Sequence, residues 1–416
     1  VERRAYQQFY ALNWAALDNK VGFVDLNANL YDSKDTFPVW QSWPTLQDFY
    51  VSEPTAAQDW FDTDTNIPKS CSALVSNDGN AKSALERFVS DHDEIPLGSK
   101  VQVLTLEKTA MDKVITGQNG QRVKFQIYMN NIAYKNFVQQ RPKFAEGQGK
   151  FSAGTYKTSA KRGAIFIKAA WQVLKNTNTN IHRAIALVTD GQLNNCSLEV
   201  VGLVGMHIVH KSIPDNISFV NEDNLWTWST YQFNGNAPSV KQINNNEQKG
   251  DWLFFNEQVL VTDNFTKNCS FDSNHDLLLQ NYYKDTSGDC PINNPNEPVS
   301  NLVSNDLNDN EYTYVNRDAV ADYFQRKDGE GSFPSVWKNY ALAGVQWMQG
   351  YDIADNLGNK HSRLANVVLE PFIPESSCIS CHSSTKSKTL RNDLLFLKNN
   401  TISKQSWMSY KTMEIK

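Results

Sequence analysis

No stretch of 18 apolar residues occurs in this 416-residue chain, which excludes a transmembrane helix. A basic excess is missing as well. Forty Lys and Arg stand against 45 Asp and Glu, a net charge of -5, and this excludes a dedicated nucleic-acid partner. The sequence has no Gly-rich phosphate loop, no His-Glu-x-x-His string and no Gly-x-Ser-x-Gly elbow. Only six cysteines and seven histidines are present. Apolar residues are not scarce: 40 % of the chain is apolar and 12 % aromatic, which excludes a disordered or collagen-like chain. The length alone suggests two or three domains, or one large domain with insertions. The first residue is Val1 and no charged-then-apolar leader precedes it, so a mature chain with its targeting segment removed is expected.

Scarce cysteines make their spacing informative. Cys378-Ile379-Ser380-Cys381-His382 is a C-x-x-C-H string, the pattern of c-type haem attachment. Two thiols at this spacing can each add across one haem vinyl group, and the adjoining imidazole then reaches the iron as an axial ligand. A chance occurrence in a chain of this composition is well under ~1 %, so the signal is specific. Two rival readings lack support. A thioredoxin-like site needs a βαβ unit, and the approach from Pro371 to Ser377 reads as irregular. A zinc site needs a second ligand pair, and no other C-x-x-C is present. The expected cofactor is one covalent haem c, held by Cys378 and Cys381 with His382 as proximal iron ligand. Attachment of this kind takes place outside the cytosol, where disulfides also persist, so the expected location is the periplasm or the cell exterior. Cys269 and Cys290 close a short loop and are the preferred pair. Cys71 and Cys196 then pair by elimination, with buried free thiols as the alternative.

Periodicity gives the organisation. Tyr6, Phe9, Tyr10, Trp14 and Leu17 predict an amphipathic helix over 2–18. A Trp-rich turn follows at Trp40–Pro44, then a short helix from Thr45. Residues 101–106 and 122–128 alternate as strands, and 132–141 reads as helix. Strands are predicted again over 164–174, 185–188, 198–210 and 225–233. Their connections are mostly too short for crossover helices, so antiparallel pairing is preferred. The stretch 263–311 is crowded with Asn and Asp and reads as an exposed insertion, with helical spacing resuming near Val320 and Leu390. The expected fold class is therefore α+β, an antiparallel sheet or sandwich body with peripheral helices over 1–370. A short haem-binding segment over 371–416 packs on that body.

Only 34 residues of this sequence follow His382, so upstream sequence is expected to complete the pocket around a porphyrin. Period-two alternation places Leu203, Gly205, His207 and Val209 on one strand face, with Met206, Ile208 and His210 on the other. Gly205 leaves room for a flat group beside His207, the first candidate for a distal ligand. Met408, between Trp407 and Tyr410, is the second candidate, since a thioether also ligates haem iron. His210 reads as a solvated strand end. His92, His182, His275 and His361 read as surface residues.

The matching stretches Phe9–Trp14, Val39–Trp43, Lys168–Trp171, Val201–Lys211 and Trp226–Thr230 give the chain a wider likeness. Trp337–Tyr340 with Gln346-Trp347, Leu364–Asn366 and Ser376–His382 extend it almost to the end. The chain resembles the bacterial cytochrome c family proteins that carry one C-x-x-C-H near the C-terminus. The resemblance implies that Cys378, Cys381 and His382 hold the haem; it implies no particular reaction. The Asn-rich stretch departs from the compact pattern of that family. The leading expectation is an exported electron-transfer protein with a single haem. Its rivals are a peroxidase- or oxygenase-like haem enzyme with an open distal site, and an extracellular binding or filament-forming protein whose haem is structural. The abundant Asn, Gln and Trp would suit carbohydrate binding or self-association in the last case. The sequence names no redox partner.

Overall fold

The computed structural model describes residues 2–28, 37–52, 60–61, 67–76, 82–92, 95, 101–105, 114–145, 163–175, 180–189, 195–211, 226–238, 242, 245, 250–255, 336–347 and 366–369. In chain order, helices α1 (Glu2–Leu12), α2 (Leu46–Ser52), α3 (Ser72–Val75) and α4 (Ala84–Asp91) come first. Strands β1 (Gln102–Leu104) and β2 (Lys124–Met129) lead into helix α5 (Asn131–Ala145). Strands β3 (Ile165–Val173), β4 (Arg183–Thr189), β5 (Cys196–Lys211), β6 (Trp226–Phe233) and β7 (Tyr340–Trp347) complete the set. The sheet-rich α+β class is the expected one, with one difference in pairing. All ladders are antiparallel except β1 on β4, which is parallel. Gln126 Nε2 donates to the Val103 carbonyl at 3.0 Å, drawing the two ends of the β1-β4-β5-β3-β2 path together into a nearly barrel-shaped sheet. None of the helices among the described residues is long and apolar enough to cross a membrane.

β5 organises the sheet. One of its edges pairs with β3, while the other is divided between β4 over Cys196–Gly202 and β6 over Gly205–Lys211. Where those neighbours part, the ladder shifts register and the β5 carbonyls lose their strand partners. A carbonyl left bare there would cost about 1–3 kcal/mol. Side chains fill the break: Tyr340 Oη donates to Leu203 O at 2.7 Å and Asn236 Nδ2 donates to Val204 O at 2.7 Å.

Helix α1 lays its apolar stripe on this sheet. The Phe9 ring stacks on Tyr231 with centroids 4.2 Å apart and meets Trp337 edge-on at 5.8 Å. The helix ends at Leu12, short of the predicted Asp18. Asn13 Nδ2 turns back to Phe9 O at 2.9 Å, and Asn13 Oδ1 accepts from Trp40 Nε1 at 2.8 Å. Ala15 and Ala16 then leave as extended chain, bridged to Pro38 and Val24. Two long-range bridges thus displace the final helical turn that periodicity alone favours. At α2 the sequence reading holds, since Thr45 and Asp48 exchange hydrogen bonds across its first turn as a cap.

The expected Cys71–Cys196 disulfide is present, joining the turn before α3 to the first residue of β5. Cys71 is buried with Val103 and Leu187 in a small core beside β1 and β4. The Cys269–Cys290 pairing, the 263–311 insertion, the helices near Val320 and Leu390, and the segment 371–416 lie outside the described residues.

Candidate functional site

His207 sits on β5 and is buried, 8 % exposed. Register places it directly opposite Lys168 of β3 and Thr230 of β6. Cross-strand partners project from the same face, as do residues two positions along a strand. Gly205 and its partner Gln232 therefore share the face of His207 and Thr230, which is the arrangement the alternation predicted.

The chain returns to that face at Asn366–Leu369. Asn366 Nδ2 donates to Thr230 Oγ1 at 2.7 Å and to Tyr231 O at 3.0 Å. Asn366 Oδ1 accepts from the backbone N–H groups of Val368 at 3.0 Å and Leu369 at 2.8 Å, folding the four residues into a turn. Val367 N adds a bond to Gln232 Oε1 at 3.3 Å. Every polar group of the Asn366 side chain is thereby satisfied in a buried setting. A Cβ placed on Gly205 would lie 2.5 Å from Val368 Cγ2, so the space beside this glycine belongs to the turn and not to a flat group. Asn366 was legible only as part of a matching stretch. Its clamping role has no local signature, because its partners lie about 135 residues away.

Cys378, Cys381, His382 and Met408 lie outside the described residues, as do His275 and His361. Cys378 follows Leu369 by nine residues, a tether that spans at most roughly 30 Å. Two residues along a strand separate Gly205 from His207, roughly 7 Å. Among the described residues no three His, Cys, Asp or Glu side chains gather as a metal site. Haem needs no such cluster, because the porphyrin supplies four nitrogens and the protein one or two axial donors. A buried imidazole on the face where the turn docks is a donor of the required chemistry.

Three histidines are less exposed than their expected surface placement implies. His182, on the residue before β4, is 1 % exposed. Its Nε2 lies 2.9 Å from Gln41 Oε1, and its ring packs on Trp337 with centroids 4.6 Å apart. Burial, with a smaller contribution from the Arg183 charge, lowers this imidazole to about 3. It is neutral, with the proton on Nε2 facing the Gln41 oxygen. Adjacency to Arg183 suggested surface, but the curled sheet buries both His182 and Arg183. His210 is only partly exposed. Its Nε2 is sealed from solvent with no hydrogen-bond partner among the described residues, and burial followed by Arg4 lowers it to about 4. His92 is also half-buried, its Nδ1 2.9 Å from Phe88 O and its ring stacked on Phe88.

No protein-family model, no curated protein and no solved structure matches the chain.

Proposed function

We propose that the chain is an exported c-type protein that carries one covalent haem and passes single electrons. Thioether bonds from Cys378 and Cys381 would hold the group, and His382 would be the proximal ligand. Bound there, haem supplies an iron centre whose potential is tuned by axial ligand and burial. The feature that carries the reading is the Cys378-Ile379-Ser380-Cys381-His382 string, whose spacing suits two thioether bonds and an adjoining axial imidazole. Two residues offer a second axial donor, His207 on β5 and Met408 near the end of the sequence. A buried imidazole on a strand is held in place by its cross-strand neighbours, so little reorganisation accompanies a change of iron charge. Low reorganisation and a filled sixth position suit electron transfer better than peroxide or oxygen chemistry.

Coordination tests the reading. The holoprotein is expected to give a six-coordinate, low-spin spectrum in both oxidation states and to ignore carbon monoxide. A high-spin iron that binds carbon monoxide or peroxide would contradict electron transfer and favour a haem enzyme.

A further inference from the structure

We infer that residues 67–76 form a redox-latched strap: the Cys71–Cys196 bond holds them against β1 and β4, and thiol exchange releases them while the rest of the sheet stays folded. No residue of the C-x-x-C-H string takes part, so the strap is independent of the haem reading.

β1 and β4 pair over three positions, with Val103 opposite Leu187 and Leu104 opposite Val188. Alternation sends Val103 and Leu187 to one face and Leu104 to the other. Leu104 joins the main core, whereas Val103 and Leu187 are buried in a second, smaller core with Cys71. The strap closes over that second core, but its hold is slight. Of residues 67–76 only Cys71 is buried. Ile67, Leu74 and Val75 pack on the small core and stay half-buried, and α3 has no buried side chain. The strap also closes turns with its own groups. Cys71 N–H donates to Pro68 O at 2.8 Å, Ser72 Oγ to Lys69 O at 2.7 Å and Ser76 N–H to Ser72 O at 2.9 Å. Ser70 Oγ is sealed from solvent with no hydrogen-bond partner among the described residues, a penalty that water relieves once the strap lifts. The covalent bond is therefore the main restraint on a segment of low local stability.

The two cysteines differ in access. Cys71 is fully buried, whereas Cys196 at the start of β5 is partly exposed. An incoming dithiol therefore attacks Sγ of Cys196. A mixed disulfide forms there, the Cys71–Cys196 bond breaks, and Cys71 Sγ leaves with the electron pair and takes up a proton. The second thiol of the reductant then attacks the mixed disulfide, which frees Cys196 as a thiol and leaves the reductant as a disulfide. Two electrons and two protons have then passed to the protein. Oxidation reverses the steps, so the strap is docked in an oxidising medium and free in a reducing one.

The experiment follows the full chain, oxidised and after dithiothreitol, by hydrogen–deuterium exchange and by iodoacetamide alkylation, both mapped to peptides by mass spectrometry. Cys196→Ser breaks the bond without exposing the other cysteines to a reductant. Reduction, or Cys196→Ser, is expected to speed amide exchange over 67–76 by about tenfold or more while β3 and β6 stay protected. In the reduced wild type, Cys71 should alkylate as readily as Cys196. Unchanged exchange over 67–76, or a Cys71 thiol that resists alkylation, would overturn the inference, because packing rather than the bond would then hold the strap. Exchange that rises equally in β3 and β6 would also overturn it, since the bond would then serve the whole fold. If Cys196→Ser does not fold, wild type reduced after folding decides the question by the same two readouts.

Discussion

Tyr340 donates its hydroxyl proton to the carbonyl of Leu203 at 2.7 Å, at the point on β5 where β4 gives way to β6. The same oxygen accepts the backbone N–H of His182 at 3.1 Å. One side chain from β7 thus ties β5 to the residue that leads into β4. Tyr340→Phe would leave a donor and an acceptor unpaired in a fully buried position. A loss of about 2–4 kcal/mol is expected from urea unfolding at neutral pH. A change below about 0.5 kcal/mol would show that water or a rearranged strand replaces the hydroxyl.

Acid should act through the buried histidines. The unfolded imidazole titrates near 6.5, whereas folded His182 titrates at about 3. Between those values the unfolded chain binds the extra proton, so stability is complete above pH 6.5 and declines as the pH falls toward 3. His182 alone should lower stability by about 2 kcal/mol on going from pH 7 to pH 5. His210, with its folded value near 4, acts in the same direction. Urea midpoints of wild type and His182→Gln across this range check the claim. The slope should be shallower in the variant, and equal slopes would contradict it.

Reduction should loosen the chain. The Cys71–Cys196 bond closes a loop with a sequence separation of 125. Loop-closure entropy for a span of that order is about 5 kcal/mol, from which native-state strain and residual structure in the unfolded chain subtract. Replacing both residues by Ser is expected to cost about 2–4 kcal/mol in thermal or urea unfolding. Tolerance within 1 kcal/mol would mean that the unfolded chain is already compact near these residues.

Much of the body was legible in the sequence because its strands obey local rules. The β-branched and aromatic runs at 164–174, 198–210 and 225–233 became β3, β5 and β6, and the period-two reading placed Gly205 and His207 together. Long-range relations were not legible. β7 escaped because Tyr340–Trp347 mixes Ala and Gly among its apolar residues, which blurs the strand pattern. The parallel pairing of β1 with β4 joins segments some 84 residues apart, which no short window registers. His182 was misplaced for a related reason. Whether a residue at the edge of a strand is wet depends on what crosses over it, here Trp337 and Gln41 from distant segments.

The distal donor has its own check. His207→Ala should keep covalent haem yet convert the iron to a form that binds carbon monoxide, whereas Met408→Ala should leave the spectrum unchanged. The opposite pattern, together with a thiolate-free sulfur-to-iron charge-transfer band in the wild type, would assign the sixth position to Met408.

The central claim is that this chain carries haem on Cys378 and Cys381, and covalent attachment survives denaturation. Protein made in cells able to mature c-type haem should give a haem-stained band on a denaturing gel at the position of the 47.2 kDa chain. Replacing both cysteines by Ala should abolish the stain without moving the band. An unstained wild-type band from such cells would contradict the account.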